Sequence, residues 1–259
     1  MKIVSRTTLV LIAILSQLLL VAAANGAAYA NTEDSPAFLT KGPPIPPESI
    51  YTPWASTRIS KAPAFDVSWC GNTAATVAYY TVRYRMGGDS PWSDWKTRTT
   101  DLFDTFTGSP GRTYYFRSRA TNTDGSVQWS KVKRTIVPYD DRQLIHKKFG
   151  WHGSETDSSS WFYRGTVTYS KTKGQTIVYK FRGKTVSLIS TKGRDRSKAK
   201  IYIDNVHRNT IDAYATERKW RYTVFTANFR ESGVHYLKVV NLATAGRSRF
   251  DIDALAVGR

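Results

Sequence analysis

Tryptophan and tyrosine set among arginine and aspartate is a residue mix suited to holding a sugar. A ring lies against the C–H face of a pyranose while polar side chains beside it bond the hydroxyls. The second half of this 259-residue chain carries such a set. Trp151, Trp161, Tyr163, Tyr214, Trp220 and Tyr222 are candidate platforms, and Arg194, Asp195, Arg196 and Arg218 are candidate hydrogen-bonding partners. Taken singly, each ring is commoner as sheet packing than as a platform. Trp220 is the first choice because the surrounding TERKWRY is a charged, loop-like stretch with no apolar neighbourhood to bury it.

Residues for bond-breaking chemistry are harder to assemble. The chain has no G-x-S-x-G elbow, no H-E-x-x-H and no phosphate loop, and His146, His152, His207 and His235 lack metal-ligand spacing. Two acids distant along a β fold can meet as a glycosidase pair, so a hydrolase stands as the alternative reading. The 20 acids are few beside 38 Lys and Arg, and most fall at turns and strand ends. The net charge of +18 suits polyanions such as acidic wall polymer, acidic polysaccharide or DNA. From residue 140 onward 23 Lys and Arg face 11 Asp and Glu, so the excess lies mainly beside the candidate platforms. No zinc-finger spacing, basic helix or helix-turn-helix points to a specific nucleic acid.

The elements that position these residues read as strands, and the chain as all-β. In GQTIVYKFRGKTVSLISTKGRDRSKAKIYID, from Gly174, two runs of alternating residues flank VSLIS. A glycine turn at Arg182, Gly183 and Lys184 is expected between the first two, and KGRDRSK is expected to be a loop that displays charge. Strands with one buried face need a second layer, which means a β-sandwich.

Residues 1–30 have the pattern of a secretory signal: Lys2 and Arg6, an apolar run from Leu9 to Ala24, then Ala28-Tyr29-Ala30. The expectation is a secreted or cell-surface product with no transmembrane anchor after cleavage, an uncleaved anchor being the alternative. Residues 31–47 are a proline-rich lead-in ending in KGPPIPP. The lone Cys70 can form no internal disulfide and is expected beside a core tryptophan.

In residues 48–138, Phe65, Val67 and Trp69 alternate, YYTVRYR follows, and Gly111, Tyr114, Phe116, Ser118 and Ala120 fit G-x-x-Y-x-F-x-S-x-A. These features resemble a fibronectin type III domain. The resemblance implies a sandwich in which the Tyr114 ring is buried and its hydroxyl turns back to the main chain. Trp92-Ser93-Asp94-Trp95 also resembles the W-S-x-W-S signature of cytokine receptors, but Lys96 takes the fifth place and the motif stands too early for that family. Arg83, Arg85, Arg117 and Arg119 are expected to ladder with Trp92, Trp95 and Trp129.

Residues 139–259 carry YS-x-x-x-G, F-x-G, KG-x-D, A-x-I-Y-I-D-N, I-D-x-Y, G-x-H-Y-L-K-V and the closing D-I-D-A-L. In that order they resemble the galactose-binding-like, carbohydrate-binding jelly rolls appended to secreted bacterial enzymes. Where such modules have D-G in a hairpin, this chain has Asp204-Asn205, which also takes a left-handed turn. The resemblance implies an accessory binding domain that requires no cofactor, with a structural calcium for which Asp140, Asp141, Asp251 and Asp253 are the candidate ligands. The combined expectation is a secreted, non-catalytic binder of polysaccharide or anionic envelope polymer, a protein-contacting adhesion module being a further alternative.

Overall fold

The alternating runs become strands almost everywhere in the computed structural model, which describes residues 58–69, 77–156 and 161–259. All of these lie in one compact unit, Pro36–Arg259. The expected signal segment, the proline-rich lead-in and Cys70 fall outside the described residues. The architecture is all-β, and the single helical element among the described residues is a 3₁₀ turn at Tyr163–Gly165.

The first eight strands are β1 (Arg58–Ile59), β2 (Ala64–Ser68), β3 (Val77–Met86), β4 (Ser93–Thr99), β5 (Phe103–Thr107), β6 (Thr113–Asn122), β7 (Val127–Trp129) and β8 (Lys133–Ile136). The larger sheet has the order β1-β8-β6-β3-β4, with β7 also on β6, and the pair β2-β5 forms the opposing layer. Phe65, Val67 and Trp69 supply the inward face of β2 and the turn after it, against Val82, Phe106 and Phe116. The Tyr114 ring is buried there, and its hydroxyl accepts a hydrogen bond from the Ser109 N–H at 2.9 Å. Trp95 does not join the arginine ladder expected of it; its ring meets Trp69 and Phe106 edge-on and packs against the core.

The next ten strands are β9 (Tyr139–Asp140), β10 (Ile145–Phe149), β11 (His152–Thr156), β12 (Thr166–Ser170), β13 (Thr176–Lys192), β14 (Lys198–Ile203), β15 (Val206–Asp212), β16 (Lys219–Asn241), β17 (Phe250–Ile252) and β18 (Ala254–Gly258). One sheet runs β15-β14-β16-β13-β18-β9 with β10 also on β13, and a second runs β11-β12-β17. Ile177, Tyr179, Leu188, Ile201, Leu237 and Val239 from the first layer enclose Phe250 and Ile252 from the second.

The expected turn at Gly183 is absent. Strand β13 continues through it for 17 residues, paired with β16 on both sides. Gly183 faces Gly233 across the ladder, and a register shift before Thr185 takes up the change of direction, so the chain bends without leaving the sheet. At Asp204 and Asn205 the hairpin forms as expected, with φ of +51° and +65°.

Both sets of strands meet at a small apolar cluster of Ile136, Tyr163, Ile189, Ala254 and Ala256, with Ile59 against it. The Tyr163 hydroxyl donates to the Pro138 carbonyl at 3.0 Å, which fixes this junction by a directed bond as well as by burial.

Candidate functional site

Trp220 is the second residue of β16, next to the Lys192↔Lys219 pairing, so the stretch read as a loop is strand from Lys219 onward. Its ring is half-buried: the Trp161 ring lies at 4.8 Å with a 31° tilt, the Phe162 ring meets it edge-on at 5.2 Å, and the Arg218 guanidinium lies 5.3 Å from its centre. Trp161 is the outer member of this stack and is 52% exposed. Of the two rings, Trp161 is the open one, with Trp220 behind it.

Polar groups line one side of the pair. Arg218 donates to Asp195 at 2.9 Å, and Arg194 donates to the Thr216 carbonyl at 2.8 Å. Those two bonds tie the Gly193–Ser197 turn to the segment that leads into Trp220. Burial raises the Asp195 carboxyl, but the Arg196 and Arg218 charges prevail and hold it below its ordinary value. It is an anion at neutral pH, fit to accept hydroxyl protons from a sugar. Tyr222 is exposed two residues on from Trp220, with the Lys192 and Lys219 ammonium groups 5.4 and 5.7 Å from its ring. The Trp161–Trp220 pair thus offers flat aromatic area with one carboxylate and the Arg218 guanidinium beside it.

Other candidates lie elsewhere. Arg196 is 2% exposed, with its Nε on Asp251 at 2.6 Å and its Nη1 on Asp195. The charged turn therefore buries one of its own charges instead of displaying it. Trp151 is 4% exposed and packs edge-on to Phe250, so it is core. Tyr163 is buried at the junction described above. Tyr214 is exposed but lies under Arg247, whose guanidinium is bound to Asp212.

The four acids expected to hold calcium are all buried, and most of their oxygens are already engaged. Asp251 accepts from Arg196 and Arg249, both at 2.6 Å. Asp140 accepts from Arg142 at 2.8 Å, and Asp141 accepts from Thr166 and Thr168 at 2.8 and 2.6 Å. Asp253 accepts from the Tyr163 N–H at 2.7 Å while its Oδ2 has no hydrogen-bond partner among the described residues. Its burial raises its pKa to about 8, so it holds a proton at neutral pH. Among the described residues no three His, Cys, Asp or Glu side chains converge. These donors fit an ion-paired, hydroxyl-bonded core and not a calcium cage, which needs several ionised oxygens free to face one point.

Two residues central to this surface are missing from the sequence-based set. Phe162 is buried beneath Trp220. Arg221, at a left-handed φ of +49°, donates to the carbonyls of Trp161 at 3.1 Å, Phe162 at 3.2 Å and Lys61 at 2.9 Å. It holds the platform loop to β16 and reaches the first sandwich. An arginine between two aromatics in a charged run gives no local hint of such bonds, because its partners are main-chain oxygens far away in sequence.

No protein-family model matches the chain, and no curated protein matches it. Among solved structures, part of it is similar to a two-domain esterase (CEX) active on acetylated mannans, at 17% identity and a TM-score of 0.40 over 48% of this chain and 36% of the esterase. This chain thus spans about a third of that enzyme's length. It is also similar to the CBM36-1 domain of a multidomain xylanase from the hindgut metagenome of Trinervitermes trinervoides, at 14% identity and a TM-score of 0.34 over 47% of this chain and 95% of that domain. A third similarity, to the Agl-KA catalytic domain, has 11% identity and a TM-score of 0.35 over 48% of this chain and 27% of the other.

Proposed function

We propose that this protein is a secreted, non-catalytic binder of extracellular polysaccharide or anionic cell-envelope polymer. The supporting observation is the open Trp161 ring, stacked on Trp220, with the Arg218 guanidinium over Trp220 and bonded to Asp195. Trp161 covers the C–H face of a sugar ring, Asp195 and Arg218 exchange hydrogen bonds with its hydroxyls, and the net charge of +18 favours polymers that carry negative charge.

The test is a glycan array with the full chain and its Trp161→Ala variant, with melting curves to establish that the variant is folded. Loss of the stacking surface is expected to weaken glycan binding on the order of tenfold, with little change on raising salt, because stacking is screened far less than charge. Equal binding by the folded variant would remove the platform assignment. Release of a sugar product would replace the binder with the hydrolase alternative, and retention on cells without glycan binding would favour a protein-contacting adhesion module.

A further inference from the structure

A second surface, on the other sandwich, is built differently. Residues paired directly across a sheet share a face. Arg83 is paired with Arg117, Arg85 with Tyr115, Arg134 with Tyr115 and Arg119 with Trp129. Arg98 lies over Tyr79, 4.0 Å from its ring centre. The outer face of β4-β3-β6-β8 thus collects Arg83, Arg85, Arg98, Arg117, Arg119 and Arg134. Among the described residues a single carboxylate pairs with them, Asp94 on Arg83 at 2.5 Å.

Rings hold these charges in place without neutralising them. Arg85 and Arg117 lie 4.9 and 4.3 Å from the Trp92 ring centre. Arg117 also lies 4.3 Å from Trp129, with Arg83 and Arg119 each at 5.7 Å. The Nε groups of Arg85, Arg117 and Arg119 have no hydrogen-bond acceptor among the described residues. Like charges set directly opposite each other destabilise a sheet, as Arg83 and Arg117 are here. Burial first, and then the Arg83 and Arg85 charges, lower the Arg117 pKa. An arrangement that only packed the sheet would gain from more carboxylates. This one keeps guanidiniums fixed, concentrated and short of acceptors.

We propose that this face is a separate ligand surface that grips an acidic polysaccharide, a sugar chain bearing carboxylate or sulfate groups, through its guanidiniums. Alternate residues on a strand stand about 6.8 Å apart and neighbouring strands about 4.8 Å apart, so the arginines form a grid that can meet repeated charges along an extended polymer. Each guanidinium fork matches the planar pair of oxygens on such a group. A nucleic acid suits the face less well, because Trp92 and Trp129 are already occupied by arginine and are not free to stack bases. The surface uses none of the residues around Trp161, so it can fail or succeed independently of the function proposed above.

The test is titration of the full chain with polygalacturonate, with its fully methyl-esterified form as the neutral control, and with poly-dT, across a salt series. Removing two contacts in Arg117→Gln/Arg119→Gln is expected to weaken polygalacturonate binding about tenfold at low salt and to reduce the slope of log affinity against log salt by about two. The Arg117→Lys/Arg119→Lys pair should keep the slope and lose part of the affinity. Asp94→Asn, which removes the paired carboxylate, should tighten binding severalfold. Unchanged affinity and slope in the folded glutamine variant would overturn the proposal. If that variant does not fold, an unaltered affinity in Asp94→Asn would overturn it instead. Tighter binding of poly-dT than of polygalacturonate, lost in the same variants, would also overturn it, in favour of a nucleic-acid surface.

Discussion

At Arg196 a positive charge is enclosed by protein, and its stability rests on Asp251 and Asp195. Removing one member of a buried pair leaves the other desolvated, at a cost of about 3–5 kcal/mol. Arg196→Met is expected to cost near the lower end, since Asp251 keeps Arg249; denaturant melts measure it, and a loss under 1 kcal/mol would show that water reaches the site. Asp253 titrates differently. Its folded pKa of about 8 is above the unfolded value, so the folded state holds a proton that the unfolded state releases. Its contribution is therefore full below about pH 4 and declines as pH rises through 8, at up to roughly 1.4 kcal/mol per unit. Asp253→Asn imitates the protonated form and should flatten the dependence of Tm on pH between 5 and 8; parallel curves for both proteins would contradict the burial argument. The cluster of rings and polar groups is partly legible in the residue types, since Trp161, Trp220, Arg218 and Asp195 are all among the candidates and do adjoin. Which ring faces outward was not legible, because exposure depends on the neighbour contributed by another strand.

Among elements, β13 carries the most consequence, since it pairs with β16, β10 and β18 along its 17 residues. Its bend needs room at Gly183, where an added Cβ would lie 2.6 Å from the Gly258 carbonyl oxygen and 2.7 Å from a Val257 methyl. The oxygen is main chain and cannot swing aside. Gly183→Ala should therefore cost about 1–3 kcal/mol, read as a shift of the urea midpoint without a change of slope; an unaltered midpoint would mean that β18 can retreat. The alternation of Ile177, Tyr179 and Phe181 announced the strand and its buried face. Continuity through Gly183 was hidden, since glycine between charged residues signals a turn just as well as a bulge, and only the facing Gly233 decides between them.

For the molecule as a whole, the contact between the sandwiches among the described residues is partly directional, with Tyr163 on Pro138 and Arg221 on Lys61 beside aliphatic side chains. Arg221→Ala removes three hydrogen bonds while leaving an alanine at positive φ, so the junction should loosen first. Two separated calorimetric transitions are expected where the parent protein gives one, together with faster protease cutting near Pro138; a single transition lowered as a unit would show that the aliphatic contacts suffice. The all-β class was plain from the abundance of alternating aromatic and branched residues. The junction was not, since it consists of main-chain oxygens and a tyrosine that looked like any other ring. Because the same guanidinium clasps the main chain under Trp161 and the first sandwich at Lys61, a force applied at that indole reaches both bodies at once. Load would then be shared across the molecule instead of prying one sandwich away from its neighbour.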